Sequence, residues 1–199
     1  FGSRRTAAGS CGSAWIAPGG GLAGQTSTYW SLAVHDDGTG PQLIVGGTIN
    51  FGGLPVHLVR WNGSAFSTYP GTPSNPITAL GVYDDGAGER LFVAGPNSIG
   101  GTTVNRIASW DGLSWSPLGL GFDIVGFGSI RTTHVYDDGS GPKLFFGGVF
   151  KYANGVLSDN VARYGEPCSA LAITTQPHDI TTTIDHHYTE VTFQLAATG

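Results

Sequence analysis

The sequence contains no methionine, only two cysteines and few charged residues. Charged residues make up 12% of the 199 residues, and the only lysines are Lys143 and Lys151. The net charge of −5 argues against a nucleic-acid partner, because nucleic acids are bound by basic surfaces that neutralise phosphates. Two cysteines are too few for the disulfide framework that holds many small secreted domains together.

Long apolar runs are absent as well. No stretch of 18 or more apolar residues exists, so the sequence predicts no membrane-spanning helix. The first ten residues lack the apolar core of a signal peptide. Since methionine is also missing, we expect the chain to be an internal piece of a longer protein. The missing signal peptide then carries no information about localisation.

Glycine and proline are abundant, with 33 and 11 copies, yet hydrophobic residues still make up 40% of the chain. The glycines follow no period of three, which excludes a collagen-like chain. The apolar content is sufficient for a packed core, which argues against a disordered chain.

An internal repeat of roughly 50 residues is the strongest feature of the sequence. The Asp-Asp-Gly triplets start at Asp36, Asp84 and Asp137, so the spacing is 48 and then 53 residues. A short apolar run ending in glycine follows each triplet. A second landmark, an aromatic residue shortly before a glycine, comes at Trp61, at Trp110 and at Tyr164.

Each repeat is predicted to form four short antiparallel strands. In the second repeat these are residues 77–83, 90–93, 105–110 and 114–117, with a Gly-rich loop between the second and third strands. The second strand is apolar at consecutive positions in all three repeats, which is typical of a strand buried on both faces. One such four-stranded sheet per repeat is typical of a β-propeller blade.

These landmarks resemble the kelch-like repeats of β-propellers in large bacterial secreted proteins. The resemblance covers residues 10–165 and implies a partial β-propeller of three blades, without implying an activity. Ala94 replaces the first glycine of the second repeat, and the third repeat lacks the second aromatic residue. The residues that carry the resemblance are Gly46, Gly47, Trp61 and Phe66, then Gly95, Trp110 and Trp115, then Gly147, Gly148 and Tyr164.

The two ends of the repeat region complement each other in this propeller interpretation. Residues 12–15 (Gly-Ser-Ala-Trp) match residues 63–66 (Gly-Ser-Ala-Phe), so the chain is expected to enter at the last strand of a preceding blade. The third repeat stops after its third strand. If the entering strand closes that blade, Cys11 and Cys168 become neighbours and are candidates for a disulfide; two unrelated cysteines are the alternative, which the sequence favours.

Three blades are fewer than the four to eight that usually close a ring. We expect the missing blades to lie upstream in the parent protein, and an open arc is the alternative.

The C-terminal segment has a different character. Residues 167–172 are a predicted linker, and residues 173–199 resemble the start of an immunoglobulin-like domain. Residues 173–177 match its opening strand, and residues 191–197 form an alternating second strand. About 30 residues cannot complete a sandwich of about 100, so this domain is expected to be truncated. The predicted domains are therefore propeller repeats over 1–166, the linker and this immunoglobulin-like start.

The paired aspartates are candidate calcium ligands, because their loops resemble those of integrin-type repeats. Calcium prefers six to eight oxygen ligands, however, and each loop supplies only two adjacent carboxylates. A tight turn in which aspartate caps its own backbone is the alternative, which the sequence favours. The candidate residues are Asp36, Asp37, Asp84, Asp85, Asp137 and Asp138.

Other candidate sites are fewer. His186 and His187 are adjacent, so on a strand they face opposite sides and are not expected to share a metal ion. Aromatic residues outside the repeat pattern are the better candidates for exposed ligand contacts, and they are Tyr29, Trp30 and Tyr69.

No nucleophile motif or pair of facing carboxylates is recognisable, so no enzymatic activity and no cofactor are predicted. The leading hypothesis is a non-catalytic extracellular or cell-surface adhesion module that binds protein or polysaccharide through blade loops. The alternatives are a structural spacer of a giant surface protein and the accessory propeller of a secreted enzyme.

Overall fold

The computed structural model describes residues 15, 17–22, 27–124 and 128–165. These residues form an all-β structure of sixteen strands with one 3-10 turn, Pro18–Gly20, and they contain no α-helix. No helix in this part of the chain has the length and apolar character needed to cross a membrane. The strands are β1 (Thr28–Asp36), β2 (Pro41–Phe51), β3 (Leu54–Trp61), β4 (Phe66–Thr68), β5 (Ala79–Asp84), β6 (Glu89–Ala94), β7 (Ser98–Ile99), β8 (Thr102–Thr103), β9 (Ile107–Trp110), β10 (Trp115–Pro117), β11 (Phe122–Asp123), β12 (Ile130–Asp137), β13 (Pro142–Gly148), β14 (Tyr152–Ala153), β15 (Val156–Leu157) and β16 (Val161–Tyr164).

The chain divides into two compact units, residues 1–165 and residues 166–199. The second unit lies outside the described residues, and with it lie the predicted linker and the immunoglobulin-like segment.

Each repeat forms one antiparallel sheet. The first sheet has the order β1-β2-β3-β4, the second has the order β5-β6-β9-β10, and the third has the order β12-β13-β16. The strands of the second repeat begin and end within two residues of their predicted positions. The third sheet has three strands within the described residues; the residues that follow Gly165 lie outside them, so the absence of a fourth strand in the third repeat stays a prediction.

In the second and third repeats, the loops between second and third strands contain short additional hairpins that the sequence analysis treated as irregular. Strands β7 and β8 form a hairpin around Gly100 and Gly101, which both have positive φ. Strands β14 and β15 form a second hairpin around Asn154 and Gly155, and β11 pairs with β14. Asn-Gly and Gly-Gly are strong hairpin signals, so these turns were readable from the sequence.

The second sheet lies between the other two. Alternate side chains of β6 point to opposite faces, so Leu91 and Val93 pack toward the first sheet while Phe92 and Ala94 pack toward the third. This position explains why the strand is apolar at every residue from Leu91 to Ala94. The core between the first and second sheets contains Ile44, Leu58, Tyr69, Ile77, Leu80, Leu91, Val93, Ile99, Val104, Ala108 and Trp110.

The first strands of the three sheets lie side by side, with β5 between β1 and β12. The Leu80 amide donates a hydrogen bond to Ser31 Oγ at 3.0 Å. The Thr133 hydroxyl donates to the Leu80 carbonyl oxygen from the other side. The first strands of neighbouring sheets are therefore joined by polar contacts as well as by apolar packing.

One glycine of each repeat has a steric reason: Gly47 lies within β2, Gly95 directly follows β6 and Gly148 ends β13. A Cβ atom at any of these glycines would collide with a backbone carbonyl oxygen at the start of the first strand of the same sheet or shortly before it, namely that of Thr28, Pro76 or Ser129. The preceding position is less restricted, because Ala94 occupies it in the second repeat. The repeat thus requires its second glycine and tolerates a small side chain at the first.

Candidate functional site

The first aspartate of each triplet closes the turn between the first and second strands. Asp36 Oδ1 accepts hydrogen bonds from the amides of Gly38 and Gly40, both at 2.9 Å. Asp84 and Asp137 make the same pair of bonds at 2.8 and 3.0 Å. The glycines of these turns have positive φ. This geometry agrees with the predicted backbone-capping turn.

The second aspartate of each triplet pairs with an arginine of its own sheet. The oxygen–nitrogen distances are 3.0 Å for Asp37 with Arg60, 3.6 Å for Asp85 with Arg90 and 3.8 Å for Asp138 with Arg163. In the second sheet the arginine stands on β6 instead of on the third strand. An arginine thus neutralises the second aspartate in every repeat. The arginine comes from the third strand in the first and third repeats and from the second strand in the second repeat.

The hydrogen bond from the Thr39 hydroxyl makes the largest contribution to a pKa of Asp37 below its usual value. The Thr39 amide and the Arg60 guanidinium act in the same direction, while burial opposes them. A similar hydrogen bond from Ser140 lowers the pKa of Asp138. Both carboxylates are therefore anions engaged by neighbouring donors.

These contacts bear on the calcium hypothesis. The carboxylate oxygens of the six aspartates point to turn amides, hydroxyls and arginines of their own loops and sheets, and Asp85 Oδ2 also accepts a hydrogen bond from the Tyr164 hydroxyl of the third sheet. Across residues 15, 17–22, 27–124 and 128–165, no group of three or more His, Cys, Asp or Glu side chains could hold a metal ion. The hydrogen bonds of the aspartates are those of backbone-capping turns, and they give calcium binding no support. His186, His187, Cys11 and Cys168 lie outside the described residues.

Tyr69 is not an exposed ligand contact, and that prediction is wrong. Its side chain is 6% exposed and packs between the first and second sheets. It meets Trp110 edge to face at 6.0 Å between ring centroids, and the Arg60 guanidinium lies 5.3 Å from its ring centre. Burial raises the pKa of Tyr69 to about 12. The residue breaks the repeat pattern because it fills a gap in the core.

Tyr29 and Trp30 are exposed, as predicted, at 42% and 50%. The Tyr29 hydroxyl donates a hydrogen bond to the Leu22 carbonyl oxygen at 2.9 Å, which fixes one edge of an apolar cavity of about 550 Å³. Trp30 lines this cavity and also a smaller cleft. Trp30 is therefore the more accessible of the two aromatic candidates.

The smaller cleft, here called the Trp30 cleft, has a volume of about 210 Å³ and draws its lining from all three repeats. Trp30 is the third residue of β1, Asn75 precedes β5, and Ser129 precedes β12. Arg106 comes from the loop before β9. The cleft thus combines one aromatic face, one cation and three small polar side chains, those of Asn75, Thr78 and Ser129.

Arg106 has a backbone φ of 76°, which is uncommon for a residue with a side chain. Its amide donates to Pro96 O at 2.8 Å, and its carbonyl oxygen accepts from the Gly95 amide at 2.9 Å, so the main chain is fixed on both sides. Within the described part of the chain, its guanidinium forms no hydrogen bond or ion pair. The cation is therefore available to a ligand.

The sequence analysis did not single out Arg106. One signal was present: the residue at this position differs among the repeats, being His57, Arg106 and Asn160. A residue that varies among repeats, while the residues around it recur, is typical of a ligand-binding surface.

Comparison with protein-family models, with curated proteins and with solved structures finds no match to this chain. The class that the structure defines is an all-β protein of stacked, repeat-built antiparallel sheets.

Proposed function

We propose that the chain is a non-catalytic binding module of an extracellular or cell-surface protein and that it recognises a polysaccharide at the Trp30 cleft. The observation that carries the proposal is the half-exposed indole of Trp30 beside the unengaged guanidinium of Arg106. Binding sites of this kind combine an apolar platform with a few polar groups that fix orientation. The face of a sugar ring would lie on the indole, and its hydroxyls would meet Asn75 and Ser129.

Arg106 favours a polysaccharide that carries carboxylates. Its planar fork of donors matches a carboxylate in a bidentate arrangement, which a lysine would not provide. Neutral sugars would use Trp30 alone and are expected to bind more weakly.

We also propose that the three sheets are blades of a kelch-like β-propeller. The first strand of each sheet, β1, β5 and β12, would be the inner strand, nearest the propeller axis. Their side-by-side placement and the face-to-face packing of the sheets support this arrangement. In a propeller the loops at the end where the inner strands begin come together, and the Trp30 cleft lies at that end.

A protein ligand is the second candidate. The hairpins between second and third strands differ in length and sequence among the repeats, while the turns between first and second strands are nearly identical. Such uneven variation favours recognition over a spacer role or a purely accessory role beside an enzyme.

The test is a glycan array followed by titration calorimetry with the polysaccharides that bind, both carboxylated and neutral. Trp30→Ala is expected to lower affinity at least tenfold, and Trp30→Tyr is expected to retain most of it. Leu54→Ala is the control, because Leu54 is 67% exposed and lies in a different hairpin.

Arg106→Gln should weaken only the carboxylated ligands. Absence of binding to any polysaccharide, or equal affinity in Trp30→Ala, would overturn the proposal. Retained binding in Trp30→Ala together with a protein captured through the β7–β8 hairpin would favour the second candidate.

A further inference from the structure

The first strands of the first and third sheets each carry one extra residue near their start. The ladder between β1 and β2 skips Trp30, because its register shifts between Tyr29 and Ser31. The ladder between β12 and β13 skips Arg131 in the same way. Both residues stand six positions before the first aspartate of their triplet, so they are equivalent in the repeat. Such a β-bulge turns one side chain out of the regular alternation of the strand and is frequent beside functional sites.

The second repeat has its bulge at Thr78. The Thr78 amide donates a hydrogen bond to the Ala94 carbonyl oxygen at 2.8 Å, while the next residue, Ala79, stands opposite Ala94 in the ladder. The Thr78 hydroxyl donates to the same oxygen at 3.3 Å. The middle bulge therefore presents a short side chain whose hydroxyl is bonded to its own sheet.

The glycine that every repeat requires belongs to this bulge. The carbonyl oxygen that a Cβ at Gly47 would strike is that of Thr28, two residues before Trp30. The equivalent oxygen in the third sheet is that of Ser129, two residues before Arg131. Only glycine allows the backbones to come this close. The backbone of the bulge thus recurs in each repeat, while its side chain changes from indole to hydroxyl to guanidinium.

Two arginines without a carboxylate partner lie at this end of the sheets. The part of the chain that the structure describes has five arginines, and three of them form the repeated pairs with aspartate. The guanidinium groups of Arg106 and Arg131 form no ion pair or hydrogen bond within the same residues. Ser129 and Ile130, which directly precede Arg131, line the Trp30 cleft together with Arg106. The described lining of the cleft includes no carboxylate, so this end carries two unbalanced positive charges.

The opposite end of the first strands is acidic. The Asp-Asp-Gly turns begin six residues beyond the bulges, and a strand of that length spans about 20 Å. This distance exceeds the Debye length of about 8 Å at physiological ionic strength, so the two ends act separately on a charged ligand. An anionic polymer is therefore attracted to the bulges and repelled by the turns.

We propose that Arg106 and Arg131 bind successive carboxylates of one acidic polysaccharide, which runs across the starts of β1, β5 and β12. This inference rests on the proposed function and specifies its ligand as a chain with uronic acids, at least two of which are bound at once. Trp30 supports a sugar ring at the first sheet, Arg106 binds a carboxylate in the cleft, and Arg131 binds the next carboxylate at the third sheet. The short side chain of Thr78 leaves room for the chain between them.

Titration calorimetry of the full chain with the tetrasaccharides of galacturonate, mannuronate and hyaluronate tests the second cation. Arg131→Gln should lower the affinity for the tetrasaccharide that binds by about fivefold, since an exposed ion pair contributes modestly. Arg131→Lys should restore part of the loss. Arg163→Gln removes the same charge at a 43% exposed side chain and should bind like the unchanged chain. The methyl ester of the same tetrasaccharide should bind the unchanged chain and Arg131→Gln with equal affinity.

A gain of affinity gives an independent test. Thr78→Arg adds a cation at the middle bulge, and Arg131 shows that the same backbone accepts an arginine. This variant should bind the acidic tetrasaccharide several-fold more tightly. Leu113→Arg adds the same charge at an 89% exposed position in another hairpin and should leave the affinity unchanged. Equal gains in the two variants would show that net charge acts alone, which would overturn the inference.

The results separate this inference from the proposed function. If Trp30→Ala loses binding while Arg131→Gln binds like Arg163→Gln, the Trp30 cleft is correct and the second cation is wrong. If only neutral glycans bind, the proposed function likewise survives and the acidic ligand is wrong. A loss in Arg131→Gln that is equal for the acid and its methyl ester would show an effect on the fold and would overturn the inference. If no glycan binds, both proposals are wrong.

Discussion

The Asp37 carboxylate and the Arg60 guanidinium lie 3.0 Å apart at the face of the first sheet that the second sheet covers. The aspartate side chain is 8% exposed and the arginine side chain is 26% exposed. The equivalent pair on the third sheet, Asp138 with Arg163, is 44% and 43% exposed. The same ion pair thus occurs once buried and once exposed in one molecule. Comparing the two pairs shows how burial changes their contribution to stability.

Arg60→Met should lower the free energy of unfolding by about 1–3 kcal/mol, because it leaves a covered carboxylate without its cation. Arg163→Met should have no measurable effect, since its partner is in contact with water. Urea denaturation of both variants checks this. Equal losses in the two variants would show that burial does not decide the contribution of this pair.

Tyr69 predicts a loss of stability at alkaline pH. Burial raises its pKa to about 12, so between pH 10 and pH 12 the folded chain keeps a proton that the unfolded chain has released. The free energy of unfolding should therefore fall through this window, by about 2–3 kcal/mol in total. Urea denaturation at several alkaline pH values measures the slope. Tyr69→Phe should flatten it, and an unchanged slope in that variant would contradict the prediction.

The glycine pair predicts opposite outcomes for adjacent substitutions in the third sheet. Gly148→Ala should destabilise the chain by roughly 2 kcal/mol or more, because its Cβ would collide with the backbone at Ser129. Gly147→Ala should be tolerated, since its Cβ would meet a Thr132 methyl group that can move. Thermal unfolding of the two variants gives the comparison. If Gly148→Ala is as stable as Gly147→Ala, the steric explanation of the repeat glycine is wrong.

His35 predicts a stabilising substitution. Its side chain is 2% exposed, and within the described residues neither ring nitrogen has a hydrogen-bond partner. An unsatisfied buried polar group costs about 1–3 kcal/mol, so His35→Leu should raise the free energy of unfolding by about 1 kcal/mol. Gln42→Leu, at a 9% exposed position whose amide donates to Thr39, serves as the contrast and should not stabilise. A decrease in stability for His35→Leu would show that the imidazole fits this space better than a branched aliphatic chain.

The sheets could be predicted from the sequence because several local signals agree in each repeat. Asp-Asp-Gly turns, an apolar second strand and an aromatic third strand recur with little change, so strand positions in the second repeat were found within two residues. The small hairpins were missed because strands of two residues, such as β7 and β8, have too few side chains to show a period.

The candidate site was predicted in part. Exposure of Trp30 follows from its position outside the repeat pattern, but the same argument failed for Tyr69. A residue that breaks a repeat either faces solvent or fills a gap between sheets, and only the packing of Trp110 and Arg60 around Tyr69 distinguishes the two. Arg106 was missed because its neighbours in the cleft come from distant parts of the chain.

The position of the second sheet between two neighbours has a consequence for how the molecule comes apart. In a linear stack each layer is stabilised by the interfaces it shares, so an outer layer that opens gives up one interface and the middle layer gives up two. Amide hydrogens of β6 and β9 should therefore exchange most slowly, and those of β1 and β16 sooner. Under heat or mechanical load, unfolding is expected to start at the first or the third sheet and to reach the second sheet last.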